Sequence, residues 1–526
     1  MKLRAQPGRM GPADSEALSK PGRFVAGLVF RILLLAWIAF PFCPEASDYF
    51  GIRVVDEESG RGIPLAELSS VHQVKHWTDS QGWVAIGEPG WRGREVYFHL
   101  RSDGYEIPRD GFGYAGFKVR VLPGQRHTVR MRRTQLAERM YRITGEGIYR
   151  DSVLLGLKVP IREPLLNGLV LGQDTVIAVP FRGRLHWFWG DTERLSYPLG
   201  HFGAAGATSA LPGSKGFDVE RGIELSYFVD GGGFSRPMCP EPNHGLRWIE
   251  SVFTLEHGGR EHLMARVAHH KDLGPALGWY LMKFDEKRGG FEVDTAWDWH
   301  EGHDSAHPFQ HRCQQKDYLY LYPNYRVLAE LEEVRRLERY EAWTCVAGDG
   351  KLKGELTEID RDSSGAAVYS WKPGADRLHK GRLRELTRWG KIKPEEQWLR
   401  LRDVDSGKEV EGGRGSVAWN AHRNRWIMLA SGEAGEIWYS ECEQPTGPWT
   451  QAKKVASHLD YNFYNPVHHS FLDREGGRVI YFEGTYTASF SRAQSKTPRY
   501  DYNQVLYRLR LDDSRLRFSG TGLGVK

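Results

Sequence analysis

Apolar and polar residues alternate in short runs along most of the chain, which is the period-two pattern of half-buried β-strands. From residue 50 to residue 133, turns rich in Gly, Asp and Pro separate these runs. This stretch predicts a small β-sandwich over residues 48–133. The connector after it, residues 134–172, is predicted to hold a short helix at 135–142. The predicted strands of the sandwich are 51–55, 82–86, 95–100, 117–122 and 127–131.

A strand–turn–strand unit with an aromatic-rich second strand recurs five times after residue 173. Five hairpin-centred copies predict a five-bladed β-propeller over residues 173–515, with a large β-sandwich as the alternative. Two insertions, 328–337 and 379–392, have helical patterns. The predicted fold is therefore all-β: an N-terminal β-sandwich followed by a five-bladed β-propeller with short helical insertions. The predicted hairpins span residues 175–189, 248–267, 306–322, 416–430 and 469–482.

The first 47 residues combine early basic side chains with an apolar run from Ile32 to Cys43. This run is short for a bilayer span and is typical of the apolar region of a signal peptide. We therefore predict a secreted or periplasmic protein, with an N-terminal membrane anchor as the alternative. Removal of residues 1–47 would leave four widely spaced cysteines, and the sequence leaves open whether they form disulfides or stay as thiols.

Composition narrows the classes of function. The 526 residues include 18 Trp, 23 Tyr, 23 Phe and 60 Gly, as expected of strands joined by tight turns. The net charge of +5 is spread evenly, which predicts no nucleic-acid partner and no membrane contact beyond an uncleaved N-terminal segment. The G-x-S-x-G, Walker A and H-E-x-x-H motifs do not occur, so the sequence gives no support to the chemistries that they mark.

Propeller topology places the start of each first strand and the end of each second strand around one central cavity. Paired carboxylates in an aromatic cleft suit glycoside hydrolysis, because crowded like charges raise one pKa and so supply an acid. Structural roles, such as an Asx-turn at Asp191 or an ion pair at Glu250, are the alternative. The candidate catalytic residues are Asp191, Glu250, Asp304 and Glu483. The candidate substrate-binding residues are Trp189, Trp248, Tyr322, His303, His469 and Arg414.

Residues 300–311 contain four histidines, one Asp and one Glu, which raises the question of a metal site. Gly302 and Pro308 exclude a regular helix that would gather these side chains. We therefore expect no required cofactor. The only metal role that we infer for this segment is a structural Ca²⁺ near the propeller axis, contacted by a single histidine. The alternative is that these residues are polar histidines at strand ends without a metal.

The predicted sandwich resembles the carboxypeptidase regulatory-like, or transthyretin-like, domains of exported proteins. The resemblance covers most of the segment and implies a structural spacer without chemistry of its own. The matching sequence motifs are V-D at 55–56 with G-x-G-I-P at 60–64, T-D-S-Q-G at 78–82 and G-Y at 104–105.

Residues 173–512 resemble the five-bladed propeller glycoside hydrolases of the arabinanase and xylosidase-like group. The resemblance is carried by the five units, by W-F-W-G-D-T at 187–192 and by T-G-P-W at 446–449. It implies an Asp base or nucleophile from blade one, an orienting Asp and a Glu acid from a middle blade. These roles would fall on Asp191, Asp304 and Glu250, with Glu483 competing with Glu250. Asp191 departs from the family pattern because it ends a strand, whereas the family Asp begins one.

The sequence therefore predicts an exported carbohydrate-active protein that hydrolyses a poly- or oligosaccharide through carboxylates in the propeller cavity. One alternative is a non-catalytic propeller that binds glycan or a cell-surface partner. Another is a metal-dependent hydrolase or lyase that uses the histidine-rich segment 300–311.

Overall fold

A computed structural model describes residues 48–201, 203–240, 245–272, 274–297, 307–411, 415–433 and 435–518. Strands dominate these residues, and the helices are short, which confirms the predicted all-β class. The predicted leader, residues 1–47, lies outside the described residues. No helix in the described ranges is long and apolar enough to cross a membrane.

An N-terminal β-sandwich is formed by two four-stranded sheets. Its apolar centre includes Ile52, Leu68, Phe98 and Met131, which are almost fully buried because alternate positions of each strand point inward. The strands are β1 (Phe50–Asp56), β2 (Glu67–Ser70), β3 (Lys75–Trp77), β4 (Trp83–Ile86), β5 (Glu95–Arg101), β6 (Tyr105–Glu106), β7 (Gly116–Arg120) and β8 (Arg126–Arg133). The sheet orders are β4-β1-β8-β6 and β3-β2-β5-β7, and only β1 and β8 pair in parallel among these described strands.

Five blades follow and form the predicted propeller. Blade 1 contains β11 (Ile177–Phe181), β12 (Arg184–Trp189), β15 (Ala205–Ala210) and β16 (Ser226–Tyr227), after β9 (Glu138–Arg142) and β10 (Val170–Gln173). The strands β13 (Thr192–Arg194) and β14 (Tyr197–His201) pair with β10 in a small separate sheet. Blade 2 contains β17 (Leu246–His257), β18 (Arg260–His270), β19 (Ala276–Asp285) and β20 (Gly290–Trp297). Blade 3 contains β21 (Phe309–Cys313), β22 (Lys316–Tyr322), β23 (Tyr325–Leu328), β24 (Glu341–Thr344) and β25 (Ser370–Pro373).

The last two blades complete the ring. Blade 4 contains β27 (Gly415–Asn420), β28 (Arg425–Ser431), β29 (Glu436–Cys442) and β30 (Trp449–Ser457), and β26 (Leu399–Asp403) joins β30 in parallel. Blade 5 contains β31 (Asn462–His468), β32 (Val479–Thr487) and β33 (Asn503–Arg510). The fourth strand of blade 5 is β9, which pairs with β33 from more than 350 residues earlier in the chain. The first and last parts of the propeller are therefore held in one sheet.

The helices are α1 (Arg150–Leu154), α2 (Leu331–Val334) and α3 (Lys380–Arg388). The last two fall within the predicted helical insertions 328–337 and 379–392. The helix predicted at 135–142 is wrong, because pairing with β33 makes a strand of residues 138–142. The predicted first strand of blade 5, 469–472, is also displaced: β31 ends at His468, and a 3-10 turn follows it.

Strand β9 also joins the sandwich to the propeller. All five of its residues are buried, although two arginines and a glutamate are among them. The Arg139 guanidinium donates to the Pro64 carbonyl at 3.0 Å and lies over the Tyr105 ring. From the propeller, the Tyr500 hydroxyl donates to the Thr78 carbonyl at 2.5 Å and accepts from the backbone N–H of Leu65. The two domains are thus connected by buried polar contacts as well as by the chain.

Candidate active site at the open end of the first hairpin

Two carboxylates of blade 1 lie together at one end of its first hairpin. Asp174 precedes β11 and Asp191 follows β12, and these strands are paired from Ile177–Phe188 to the turn. Between them, the Gly190 N–H donates to the Asp174 carbonyl at 2.8 Å. A Cβ at Gly190 would come within 2.2 Å of Asp174 Oδ1. Glycine is therefore required here so that the Asp174 carboxyl group can pack against the backbone.

Asp191 is half-buried and accepts two hydrogen bonds on the same oxygen. The Trp248 indole N–H donates to Oδ1 at 2.6 Å, and the Gly203 backbone N–H donates to it at 3.1 Å. Burial raises the pKa of Asp191 to about 6, the negative charge of Asp174 raises it as well, and the two donors oppose the rise. Asp191 thus holds a proton more readily than an ordinary surface aspartate does.

Asp174 is held by blade 5. The Tyr464 hydroxyl donates to Asp174 Oδ2 at 2.7 Å, and Tyr502 also hydrogen-bonds to this carboxylate. Burial raises the pKa of Asp174, while these phenolic donors favour its ionised form. The close carboxylate pair, Asp174 and Asp191, therefore combines mutual repulsion with separate hydrogen-bond partners.

The backbone beside Asp174 is strained. Thr175 has φ = 51° and Asn465 has φ = 49°, in the left-handed region that a β-branched threonine rarely adopts. The Asn465 side-chain amide donates to Thr175 Oγ1 at 2.7 Å, and the Thr175 N–H donates to Thr485 Oγ1 at 3.1 Å. Strained residues persist where their surroundings fix them, and they cluster at functional sites. These contacts fix Asp174 in place between blades 1 and 5.

A central cavity of about 490 Å³ is lined by all five blades. Polar and apolar groups form its wall in about equal parts, and neither Asp174 nor Asp191 is among its lining residues. Two of the predicted histidine positions lie on it: His307 from the segment 300–311, and His469 after β31. One lining residue from each blade is Val179, Thr254, His307, Ser416 and His469.

Glu483 does not lie with the two aspartates. It is a central residue of β32, it is fully buried, and its Oε1 lies 2.5 Å from His469 Nε2. His469 in turn packs edge-on against Trp187, with ring centroids 5.3 Å apart. The predicted position of Glu483 at a strand end is therefore corrected, because Glu483 lies in the middle of β32. It forms a buried pair with His469, which follows the end of β31 and lines the central cavity.

The predicted aromatic contacts divide into two groups. Trp189 is 1% exposed and packs against Tyr227, so its ring belongs to the core and is not available as a sugar platform. Trp248 is half-buried, binds Asp191 and packs against His270. Tyr322 is half-buried, with the Arg377 guanidinium 4.7 Å from its ring centroid.

Glu250 lies in β17 at a register shift between Ile249 and Ser251. The charge of Glu250 raises the pKa of the buried Arg266, whereas burial and the charge of Arg377 lower it. Glu250 and Tyr322 thus both border an arginine cluster where blades 2 and 3 meet. The catalytic role of Glu250 stays a prediction.

Three further predicted site residues, Asp304, His303 and Arg414, lie outside the described residues. In the described part of the chain, no group of three or more His, Cys, Asp or Glu side chains is arranged to hold a metal ion. The described cysteines Cys239, Cys313, Cys345 and Cys442 are free thiols.

Sequence reasoning missed Asp174, Tyr464 and Tyr502. The rule that selected strand starts as site positions would have found Asp174 if the first strand had been taken to begin one residue earlier. The two tyrosines gave no such signal, because they reach Asp174 from about 290 and 330 residues away along the chain.

Comparison with known proteins gives similarity of fold only. No family model matches the chain, and no curated protein matches it. Among solved structures, a Bacteroides ovatus protein matches at a TM-score of 0.39 and 11% identity, over 65% of this chain and 86% of that one. An exo-1,5-α-L-arabinanase from a bovine ruminal metagenomic library matches at 0.32 and 10%, over 65% and 94%. The GH43_1 enzyme from Xanthomonas citri, solved with xylose, matches at 0.32 and 13%, over 64% and 86%.

Proposed function

We propose that this protein is a glycoside hydrolase whose reaction takes place at the Asp174–Asp191 pair. The observation that carries the proposal is the pairing of two half-buried carboxyl groups at the open end of the first hairpin, one of which has a pKa raised to about 6. Two carboxyl groups whose environments differ can divide the acid and base roles of glycoside hydrolysis. The half-buried Trp248 beside them supplies an aromatic surface for a sugar ring.

The proposed roles follow from the hydrogen bonds. Asp191, whose pKa is about 6, gives its proton to the leaving glycosidic oxygen as the bond from that oxygen to the anomeric carbon breaks. Asp174, ionised and held by the Tyr464 hydroxyl, removes a proton from a water molecule that attacks the anomeric carbon. Exchange with solvent then returns the proton from Asp174 and restores the one on Asp191.

The strand-start position of Asp174 agrees with the base position in the resemblance to propeller glycoside hydrolases, whereas Asp191 does not. Asp174 thus replaces Asp191 in the role of base in this proposal. Glu250 remains the competing candidate for the acid, because the resemblance gives that role to a glutamate from a middle blade.

Leaving-group dependence separates these roles. We would screen arabinan, xylan and galactan oligosaccharides, and then aryl glycosides of the sugar that is cleaved, with wild type and with Asp174→Asn, Asp191→Asn and Glu250→Gln. A variant that lacks the acid should lose activity on the natural glycoside by about 10²–10⁴-fold but keep most of it on a glycoside with a highly acidic phenol as leaving group. A variant that lacks the base should lose both.

The expected result is that Asp191→Asn keeps activity on the activated glycoside and Asp174→Asn loses it. If Glu250→Gln shows the selective loss and Asp191→Asn does not, the acid role belongs to Glu250. Activity of Asp174→Asn and Asp191→Asn equal to wild type on a cleaved glycan would refute the proposed site. A protein that binds these glycans and cleaves none would be a glycan-binding propeller.

The proposal includes export through residues 1–47 and a spacer role for the sandwich, as the carboxypeptidase regulatory-like resemblance implies. N-terminal sequencing of the mature protein from fractionated cells of its source tests export. Detection of the intact N-terminus in the cytoplasm alone would contradict it.

A further inference from the structure

A second cavity, of about 570 Å³, lies where the sandwich meets the propeller, and the residues of the Asp174–Asp191 site are not among its lining. Volumes of this size are typical of sites for small molecules, which often occur between domains. The sandwich contributes Arg53 and Trp83, the connector contributes Lys158, and the propeller contributes Arg221 and Arg508. We call this cavity the interdomain cleft.

Part of the positive charge of the interdomain cleft is neutralised within the protein. The Arg61 guanidinium lies 2.8 Å from a Glu220 carboxylate oxygen. Arg508 contacts the same oxygen at 2.7 Å and also binds Glu138. Two arginines and two carboxylates thus balance each other, and the Arg61–Glu220 contact joins the sandwich to the propeller.

Three other cations of the cleft, Arg53, Lys158 and Arg221, have no carboxylate partner among the described residues. Arg53 lies with its guanidinium 5.7 Å from the Trp83 ring centroid, and its buried Nε has no acceptor in the part of the chain that the structure describes. Asp79, the acidic group whose charge acts on Arg53, accepts hydrogen bonds from backbone N–H groups, including that of Ser152.

An anion in the cleft would offset the cost of burying the Arg53 charge. Burial lowers the pKa of Arg53, the charge of Asp79 opposes this fall, and the charge of Arg61 adds to it. Gln81 also lines the cleft, and its side-chain carbonyl oxygen can accept a hydrogen bond from a sugar hydroxyl group. The combination of cations, neutral polar groups and the aromatic Trp83 suits a charged sugar better than a bare ion.

We propose that the interdomain cleft is an accessory site for an acidic glycan, which it binds through a carboxylate or sulfate group held by Arg53, Lys158 and Arg221. The inference rests on the proposed function only for its choice of a glycan as the carrier of the anion. It deepens that function by assigning a substrate class: polysaccharides that contain uronic acids or sulfate esters. Arginine suits both groups, because its planar N–H donors match two oxygens at once.

Isothermal titration of the Asp191→Asn protein tests the site without turnover of the ligand. The probes are an oligogalacturonate, a sulfated galactan oligosaccharide, a neutral galactan oligosaccharide of equal length, and inorganic sulfate. The cleft variant adds Arg53→Gln, Lys158→Gln and Arg221→Gln. A matched control variant adds Lys316→Gln, Arg336→Gln and Arg388→Gln, which remove the same charge from exposed positions outside the cleft.

We expect at least one acidic oligosaccharide to bind more tightly than the neutral one, with its Kd raised at least tenfold in the cleft variant and unchanged in the control variant. Equal Kd values in the cleft and control variants would overturn the proposal, as would the absence of binding by both acidic probes. Inorganic sulfate that binds as tightly as the sulfated oligosaccharide would also overturn it, in favour of a site for the free anion.

Two further measurements keep the outcome clear. If the triple cleft variant does not fold, as judged by circular dichroism, the double variant Lys158→Gln/Arg221→Gln changes only exposed side chains and replaces it. Hydrolysis is assayed separately with the wild-type protein. Binding in the cleft without any hydrolysis would contradict the proposed function and leave the accessory site intact, whereas hydrolysis without binding in the cleft would do the reverse.

Discussion

Replacement of Asp191 by asparagine should stabilise the protein at neutral pH while it removes the proposed acid. The folded protein raises the pKa of this carboxyl group from 3.8 to about 6, chiefly by burial and also by the charge of Asp174. An ionised Asp191 is therefore less favourable in the folded state than in the unfolded chain. Asparagine has a similar shape, and its amide oxygen can still accept from the Trp248 indole.

The magnitude follows from the linkage between pKa and stability. A rise from 3.8 to about 6 corresponds to about 3 kcal/mol at a pH above both values. Because Asp191 keeps some contact with solvent, we reduce this to about 1–2 kcal/mol. Because the folded protein prefers the protonated form, protonation of Asp191 stabilises the folded state. This stabilisation is fully present below pH 3.8 and is lost as pH rises through about 6. The gain from Asp191→Asn should therefore be present at pH 7.5 and close to zero at pH 4.

Thermal unfolding measures this difference. For a chain of this size we expect the Tm of Asp191→Asn to exceed that of wild type by about 2 °C at pH 7.5 and by much less at pH 4. Asp110→Asn, which removes an exposed carboxylate from a sandwich loop, is the matched control and should show no such pH dependence. An Asp191→Asn protein that is less stable than wild type at pH 7.5, or equally stabilised at both pH values, would refute the reasoning.

Three further changes test the site. Trp248→Phe removes a hydrogen bond that lowers the pKa of Asp191, so the fall in kcat/KM on the alkaline side should move to higher pH. An unchanged pH profile would count against Asp191 as the acid. Glu483→Gln should lower the free energy of unfolding by about 1–3 kcal/mol, and Tm with it, because it weakens the buried hydrogen bond to His469. Normal kcat at a permissive temperature would separate Glu483 from catalysis. Gly190→Ala should displace the Asp174 carboxyl group and reduce kcat at least tenfold, while the circular dichroism spectrum stays unchanged. Full activity of this variant would contradict the close packing of Asp174 against Gly190.

Repeated local patterns in the sequence were enough to predict the architecture. Hairpins with aromatic second strands bury one face each, and five of them fit a propeller because each blade covers its neighbour. Where blade 1 packs against blade 5, one apolar cluster contains residues of both blades, including Trp187 and Tyr481. Where blade 4 packs against blade 5, a second apolar cluster does the same and includes Ile427 and Phe482. Many of the aromatic residues that mark the composition therefore serve this packing.

Tertiary structure decided which ionisable groups meet. Asp174 became a site residue only because Tyr464 and Asn465 of blade 5 close the ring against blade 1, a contact across about 290 residues. By contrast, Glu483 occupies a position that looked equivalent in the sequence, yet it lies in the middle of β32 and pairs with His469. An error of a few residues in a predicted strand boundary therefore moves a side chain from the end of a strand to its buried middle.

Pairing over long distances explains what the sequence determined and what it did not. The alternation of residues predicted the all-β class and the five hairpins, because each strand needs only its own buried and exposed faces. It did not give the number of strands, since the sandwich has eight where the sequence predicted five. The same local information wrongly predicted a helix at 135–142, where β33 recruits β9 as the closing strand. It also gave no indication of the interdomain cleft, since the charges of Arg53 and Arg221 are gathered only when the sandwich packs against the propeller. Local patterning thus determines the elements, whereas the acid pair and the cleft depend on contacts between residues far apart in the chain.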